Sequence, residues 1–209
     1  DTYGIQRILS AGLLGEKDNR RMVPTRWSIT AVDDMVSKHI RDSVKDYQEL
    51  GETRYFYNSY NGNHFHIILF PGQWEYELVE LKGAGSVWNP GEKAFINSNY
   101  EGFEGRTKYA KETAGAYYAA RLGVAEYLRS INRQAKVLII REVTDQYWAP
   151  LGVWVIRETV KNAFKDYEEE ESFKKASEKV LEQLPVGNDL VRSNSRMLRS
   201  TQSSVKNFF

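Results

Sequence analysis

Histidine titrates near neutral pH and binds metals, so the histidines come first. His64 and His66 stand two residues apart in HFHIILF. On a β-strand both rings leave the same face, where they can share a metal ion or relay a proton; aromatic pairing within a sheet suits them equally. A second cluster lies in VPTRWSITAVDD, residues 23–34. Arg26 can bind a phosphate and Trp27 can stack on a base. Asp33 and Asp34 close the block, either as carboxylates at the start of a helix or as the acidic side of a nucleotide site. In YEGFEGRTKYAKE, Arg106 and Lys108 lead into a helical stretch, a place that favours anions. Pairing of Arg106 with Glu104 accounts for them as well. The loop KGAGSVWNPGEK places glycines and Ser86 between Lys82 and Lys93. Amides of such a loop can cradle a phosphate, although the spacing is not a Walker motif. No Ser-His-Asp set and no nuclease signature can be assembled, so no catalytic residue is assigned.

The last eight residues, QSSVKNFF, carry chemistry of another kind. In one helical turn Val205 and Phe208 lie at i and i+3, and Phe209 joins them at i+4. The result is an apolar plug with the Gln202 amide one turn earlier, suited to docking in a partner's groove. This pattern resembles the PCNA-interacting peptide, or PIP box, of proteins that dock on the sliding clamp of DNA replication and repair. The resemblance implies that Gln202 enters a polar pocket while Val205, Phe208 and Phe209 fill a hydrophobic one. Arg196, Arg199 and Lys206 can steer docking onto an acidic surface, or serve as solubilising charges.

Composition bounds what can hold these groups in place. The 209 residues are 41% hydrophobic and 13% aromatic, enough for one substantial core. A formal net charge of +1 gives no overall field for nucleic acid, so any such contact depends on local patches. The chain has no cysteine, which excludes disulfides, cysteine zinc sites and a cysteine nucleophile within it. No long apolar run spans a membrane and no signal peptide is evident, so a soluble, cytoplasmic protein without a membrane partner is expected.

The pattern predicts an α+β fold: a small antiparallel meander packed with several helices, followed by a disordered C-terminal tail. A helix is expected over 5–14, an extended segment after Pro24, and an amphipathic helix over 31–50. TRYFYNSY and HFHIILF flank Asn61-Gly62 as a hairpin, and WEYELVELK should add the third antiparallel strand. Residues 83–107 read as a long connection. A helix follows over 107–131, then the buried strand KVLIIREVT. LGVWVIRETVKNAF suits strand or helix, with its 3.6-residue spacing favouring helix, and a charged helix follows Asp166. One domain over 1–190 and a flexible tail over 191–209 complete the layout.

VPTRWSITAVDD, GSVWNPGE, ETAGAYYAAR and YWAPLGVWVIRE together resemble the archaeal Nre family of DNA repair proteins. The blocks run from about residue 4 to residue 165, and the terminal motif completes the match. The resemblance implies a DNA-damage response exerted with the PCNA sliding clamp, and DNA and other repair proteins as partners. It supplies no reaction. Family members also carry an N-terminal four-cysteine zinc motif; the chain therefore looks like the C-terminal portion of such a protein, with no cofactor of its own and zinc in the remaining part. The competing reading is a metal- or nucleotide-dependent enzyme acting on damaged DNA, with His64, His66 and the Arg26–Asp34 block lining one cleft.

Overall fold

The structure, a computed structural model, describes residues 2–86, 88–148 and 152–200. The chain opens with α1 (Thr2–Ser10) and α2 (Thr25–Val44), then β1 (Gln48–Glu49). Four strands follow: β2 (Thr53–Tyr60), β3 (Asn63–Phe70), β4 (Glu75–Lys82) and β5 (Phe95–Glu101). Helix α3 (Ala114–Ser130), β6 (Arg133–Gln134), β7 (Lys136–Val143) and α4 (Val153–Ala163) come next. The chain then runs through β8 (Glu168–Glu170), α5 (Phe173–Gln183) and α6 (Asn188–Asn194).

Asn61 and Gly62 both take positive φ, 47° and 72°, which is what a tight two-residue hairpin turn between twisted strands requires. The hairpin β2–β3 is therefore locally encoded. The third strand is not where the sequence order suggests. The six-stranded sheet runs β5-β4-β7-β3-β2-β8, so β7 lies between β3 and β4 and pairs in parallel with β4. The expected antiparallel meander is thus a mixed sheet in an α+β fold. The cause is burial: β3, β4 and β7 are buried on both faces, and central positions cover both faces at once.

Helices cover both sides. On one face Ile40 and Val44 of α2, Leu122 and Val124 of α3, and Ile156 and Val160 of α4 pack on Phe65, Ile67, Leu78 and Ile139. On the other, Ala176, Val180 and Leu181 of α5 pack with Tyr55, Ile68, Val79 and Ile140. The small residues of α3 permit close packing on several sides, and eleven of its residues are buried.

Several predicted boundaries move. The extended segment expected after Pro24 is helical from Thr25, with Pro24 standing just ahead of the first turn, where its missing N–H costs no hydrogen bond. Asp33 and Asp34 consequently lie in the third turn of α2, away from its start. The connection over 83–107 contains β5, which pairs with β4 at one edge of the sheet. LGVWVIRETVKNAF contributes α4, as its spacing favours.

Residues 191–200, expected as part of a flexible tail, pack on the fold instead. Val191, Met197 and Leu198 are buried against the second face of the sheet. A buried carboxylate clasps this segment. Glu77 on β4 accepts from Ser195 Oγ at 2.9 Å, Arg196 N at 2.7 Å and Met197 N at 2.9 Å, satisfying amides that begin the final helical turn. Gln202, Val205, Phe208 and Phe209 lie outside the described residues.

Candidate nucleic-acid interface

Once 23–34 is read as helix, Trp27, Thr30, Ala31 and Asp34 fall at i, i+3, i+4 and i+7, one face of α2. With Tyr109 and Tyr118 they line a cavity of about 400 Å³. Trp27 is 60% exposed and Tyr109 52% exposed, so both offer open ring faces at its rim. Tyr118 lies behind, stacked on Tyr109 with ring centroids 5.4 Å apart. Its hydroxyl accepts from Ala110 N at 2.9 Å, which ties the Tyr109 segment to α3.

Asp34 is the charged residue lining this cavity. Lys38 Nζ is 2.8 Å from its Oδ2, and Arg121 donates to its Oδ1. Arg121 is fully buried and also donates to Glu101 Oε2 at 2.8 Å and to Ser37 Oγ at 3.0 Å. Glu101, likewise buried, accepts from Trp74 Nε1 at 3.1 Å and Tyr117 OH at 2.9 Å. The core therefore holds Asp34 at a set position and leaves it room to accept from a base edge.

Asp33, one residue and about 100° further round the helix, turns the other way. It is fully buried in an ion pair with Arg157 of α4. Burial raises its pKa to about 6 despite that pairing. It braces α2 against α4 and does not reach the cavity. Arg26 remains exposed, its guanidinium 5.8 Å from the Trp27 ring. Arg106 is committed to the chain itself, donating to the carbonyls of Lys108, Tyr100 and Tyr109. Lys108 is exposed, and neither residue stands at a helix start, because α3 begins only at Ala114.

His64 and His66 do share one face of β3, as the alternation predicts, but it is the face away from α2. Phe65 and Ile67 point to the side covered by α2 and α3, and Ile68 to the side covered by α5. The sheet thus separates both histidines from Arg26 and Asp34, and the single cleft required by the enzyme reading does not form. Each ring instead meets a tyrosine: His66 Nδ1 is 2.9 Å from Tyr55 OH and His64 Nδ1 is 2.8 Å from Tyr57 OH. Among the described residues no three His, Asp or Glu side chains gather as a metal site would need.

His66 and Asp33 give opposite pH signatures. Burial first, then the His64 charge, lowers the His66 pKa to about 4, below its ordinary 6.5. The stability it contributes is present above pH 6.5 and is lost as pH falls through about 4. Asp33 is raised from 3.8 to about 6, so its contribution is present below pH 3.8 and is lost as pH rises through about 6. Each span corresponds to about 3 kcal/mol, and the two offset in the wild-type protein. Urea unfolding between pH 4 and 6.5 should show His66→Gln gaining stability relative to wild type toward acid, and Asp33→Asn gaining relative to wild type toward neutrality. Parallel pH profiles for all three proteins would refute both assignments.

Gly115 marks where the family-like blocks meet. A Cβ there would lie 3.1 Å from Thr30 Oγ1 and 2.9 Å from Val153 Cγ1, so only glycine lets α2, α3 and α4 approach so closely. VPTRWSITAVDD, ETAGAYYAAR and YWAPLGVWVIRE converge at this point, with GSVWNPGE alongside through Trp88.

A mixed sheet covered by helices on both faces, with these blocks gathered at one end of α3, defines the class of protein. The family description archaeal Nre, N-terminal, matches residues 1–89, and archaeal Nre, C-terminal, matches residues 101–208. The chain belongs to the archaeal Nre family. It is 48% identical over 211 residues to DNA repair protein NreA of Haloferax volcanii and 42% identical over 210 residues to DNA repair protein NreA of Archaeoglobus fulgidus. Those alignments take in 100% of this chain and 50% and 51% of the relatives, respectively. DNA repair protein NreB of Archaeoglobus fulgidus is 44% identical over 160 residues, covering 77% of this chain and 40% of that protein. The chain therefore spans about half the length of the curated relatives it matches. No solved structure matches it. No helix among the described residues is long and apolar enough to cross a membrane.

Of the residues gathered around this cavity, the sequence singles out Trp27 and Asp34 and gives no sign of Tyr109, Tyr118 or Arg121. The available signal was the helical spacing of Trp27, Thr30, Ala31 and Asp34, which the β-branched residues after Pro24 obscured.

Proposed function

We propose that this chain belongs to a DNA repair factor that is recruited to the PCNA sliding clamp by residues 202–209 and meets DNA through the aromatic cavity of α2. The names of its relatives support the repair role. The observation that carries the DNA contact is the cavity itself: open rings of Trp27 and Tyr109, with Asp34 held between two cations. Stacking is sequence-tolerant because every base has a π-face, and Asp34 can accept from the amino group of a splayed base. Arg26 lies beside Trp27 for the adjoining phosphate. With a net charge of +1, binding should lean on stacking and show a shallow salt dependence.

Fluorescence anisotropy with single-stranded DNA tests this reading. Trp27→Ala and Tyr109→Ala should each weaken binding by about tenfold, since stacking contributes about 1–3 kcal/mol per base. Both residues are exposed, so the fold should survive. Unchanged affinity in both variants would overturn the DNA contact. The clamp contact is carried by the spacing of Gln202, Val205, Phe208 and Phe209.

A further inference from the structure

A second cavity, of about 300 Å³, lies across Gly115 from the first. It occupies a distinctive place in the topology. β4 and β7 are the parallel pair of the main sheet, and both run toward it: Glu80 and Lys82 come from the end of β4, Arg141 from the end of β7. Helices α3 and α4 begin at the same cavity, through Gly115 and Val153. Carboxyl ends of parallel strands meeting amino ends of helices form the crevice in which open α/β sheets place their ligands.

The side chains give the crevice its chemistry. Arg141 is buried and immobilised: it pairs with Glu80, and its Nε donates to Asn63 Oδ1 at 3.1 Å. Lys82 stands above this pair, its ammonium 3.8 Å from Glu80 Oε2 and its side chain 20% exposed. Two cations against one carboxylate leave the floor with an excess of positive charge. Neither helix dilutes it, for α3 and α4 both lack a capping side chain and an acidic residue in the first turn. Trp88 forms an outer wall; it is 51% exposed, with its ring 6.5 Å from that of Tyr147. A cationic floor beneath an open indole fits a phosphate joined to a flat base, and the volume is at the small end for a bound small molecule.

We propose that this cavity binds a nucleoside 5′-phosphate, with the phosphate at Lys82 and the first turns of α3 and α4 and the base against Trp88. This site is separate from both the terminal motif and the Trp27 cavity. The nucleotide can be free or can be the 5′-phosphorylated end of a DNA strand; the chemistry at the site is the same.

Calorimetry on the whole chain distinguishes the sources. The probes are adenosine 5′-monophosphate, adenosine, and one short single strand carrying either a 5′-phosphate or a 5′-hydroxyl. Wild type should bind a phosphate-bearing probe at least about tenfold more tightly than its phosphate-free counterpart, as a charge-assisted contact provides. Lys82→Gln should remove that preference, and Trp88→Ala should weaken binding of the same probe. Lys93→Ala, in the same loop but outside the cavity, should change nothing. Competition between the 5′-phosphorylated strand and adenosine 5′-monophosphate supports the site with a strand end as ligand; binding of the mononucleotide alone supports it with a free nucleotide. Absence of a phosphate preference in wild type, or a preference that survives Lys82→Gln in the folded variant, would overturn the proposal.

Discussion

Replacing Phe208 and Phe209 together by alanine is expected to abolish binding to the PCNA clamp while leaving the protein's unfolding transition in place. Burying a large apolar side chain contributes about 1.5–3 kcal/mol, and two adjacent rings form the kind of anchor that dominates an interface. Losing both should weaken docking by at least about a hundredfold. Among the described residues, Met197 and Leu198 pack on the second face of the sheet, and Glu77 holds the turn they belong to. Titration of the variant into clamp, beside its thermal unfolding curve, checks both halves. Unchanged clamp affinity would sink the recruitment reading, whatever the outcome at the Trp27 cavity. The fold bears on the geometry of the proposed recruitment. Ordered chain continues to Ser200, so Gln202 is only two residues further on, at most about 7 Å of extended backbone. A docked motif would therefore hold the folded body close to the clamp, where the sequence suggested a long leash.

Arg121→Met should destabilise the fold by about 3–5 kcal/mol, the usual cost of leaving a buried charge without its partner. Arg121 and Glu101 are both fully enclosed, and the next cation, Arg41 Nη1, is 3.6 Å from the other Glu101 oxygen. Removing the guanidinium also takes a donor from Ser37 Oγ and frees one side of Asp34. Adding Glu101→Gln should recover part of the loss, because an unpaired carboxylate costs more than a neutral amide. Urea unfolding of the single and double variants measures the coupling. A single variant within about 1 kcal/mol of wild type would show that the network is not the bracing inferred for it. Since the same guanidinium positions Asp34, the variant also links fold stability to the candidate DNA contact.

Much of this protein is written in short-range pattern. The alternation of TRYFYNSY and HFHIILF around Asn61-Gly62 determines a hairpin, because that turn needs two residues tolerant of positive φ. The small residues of α3 announce a central helix, and the 3.6-residue spacing from Val153 to Phe164 announces α4. The spacing of Gln202, Val205, Phe208 and Phe209 is legible without any fold, since the docking motif proposed there would carry its own geometry. The four family-like blocks were legible too, but not their meeting at Gly115.

The tertiary structure decided what depends on contacts far apart in the chain. Which strand lies beside β4 is set by long-range packing, and β7, more than fifty residues later, takes that place with Val137, Ile139 and Ile140 buried. That choice creates the parallel pair and the crevice at its end. Asp33 and Asp34 are indistinguishable as neighbours in sequence; one helical step sends the first to Arg157 and the second to the open cavity. His64 and His66 share a face, as period two demands, yet only the placement of α2 shows that it is the wrong face to join Arg26. Ser195 finds Glu77 across 118 residues, which turns ten residues of expected tail into structure. Local periodicity sets which way a side chain points within its element, and long-range packing sets what it finds there.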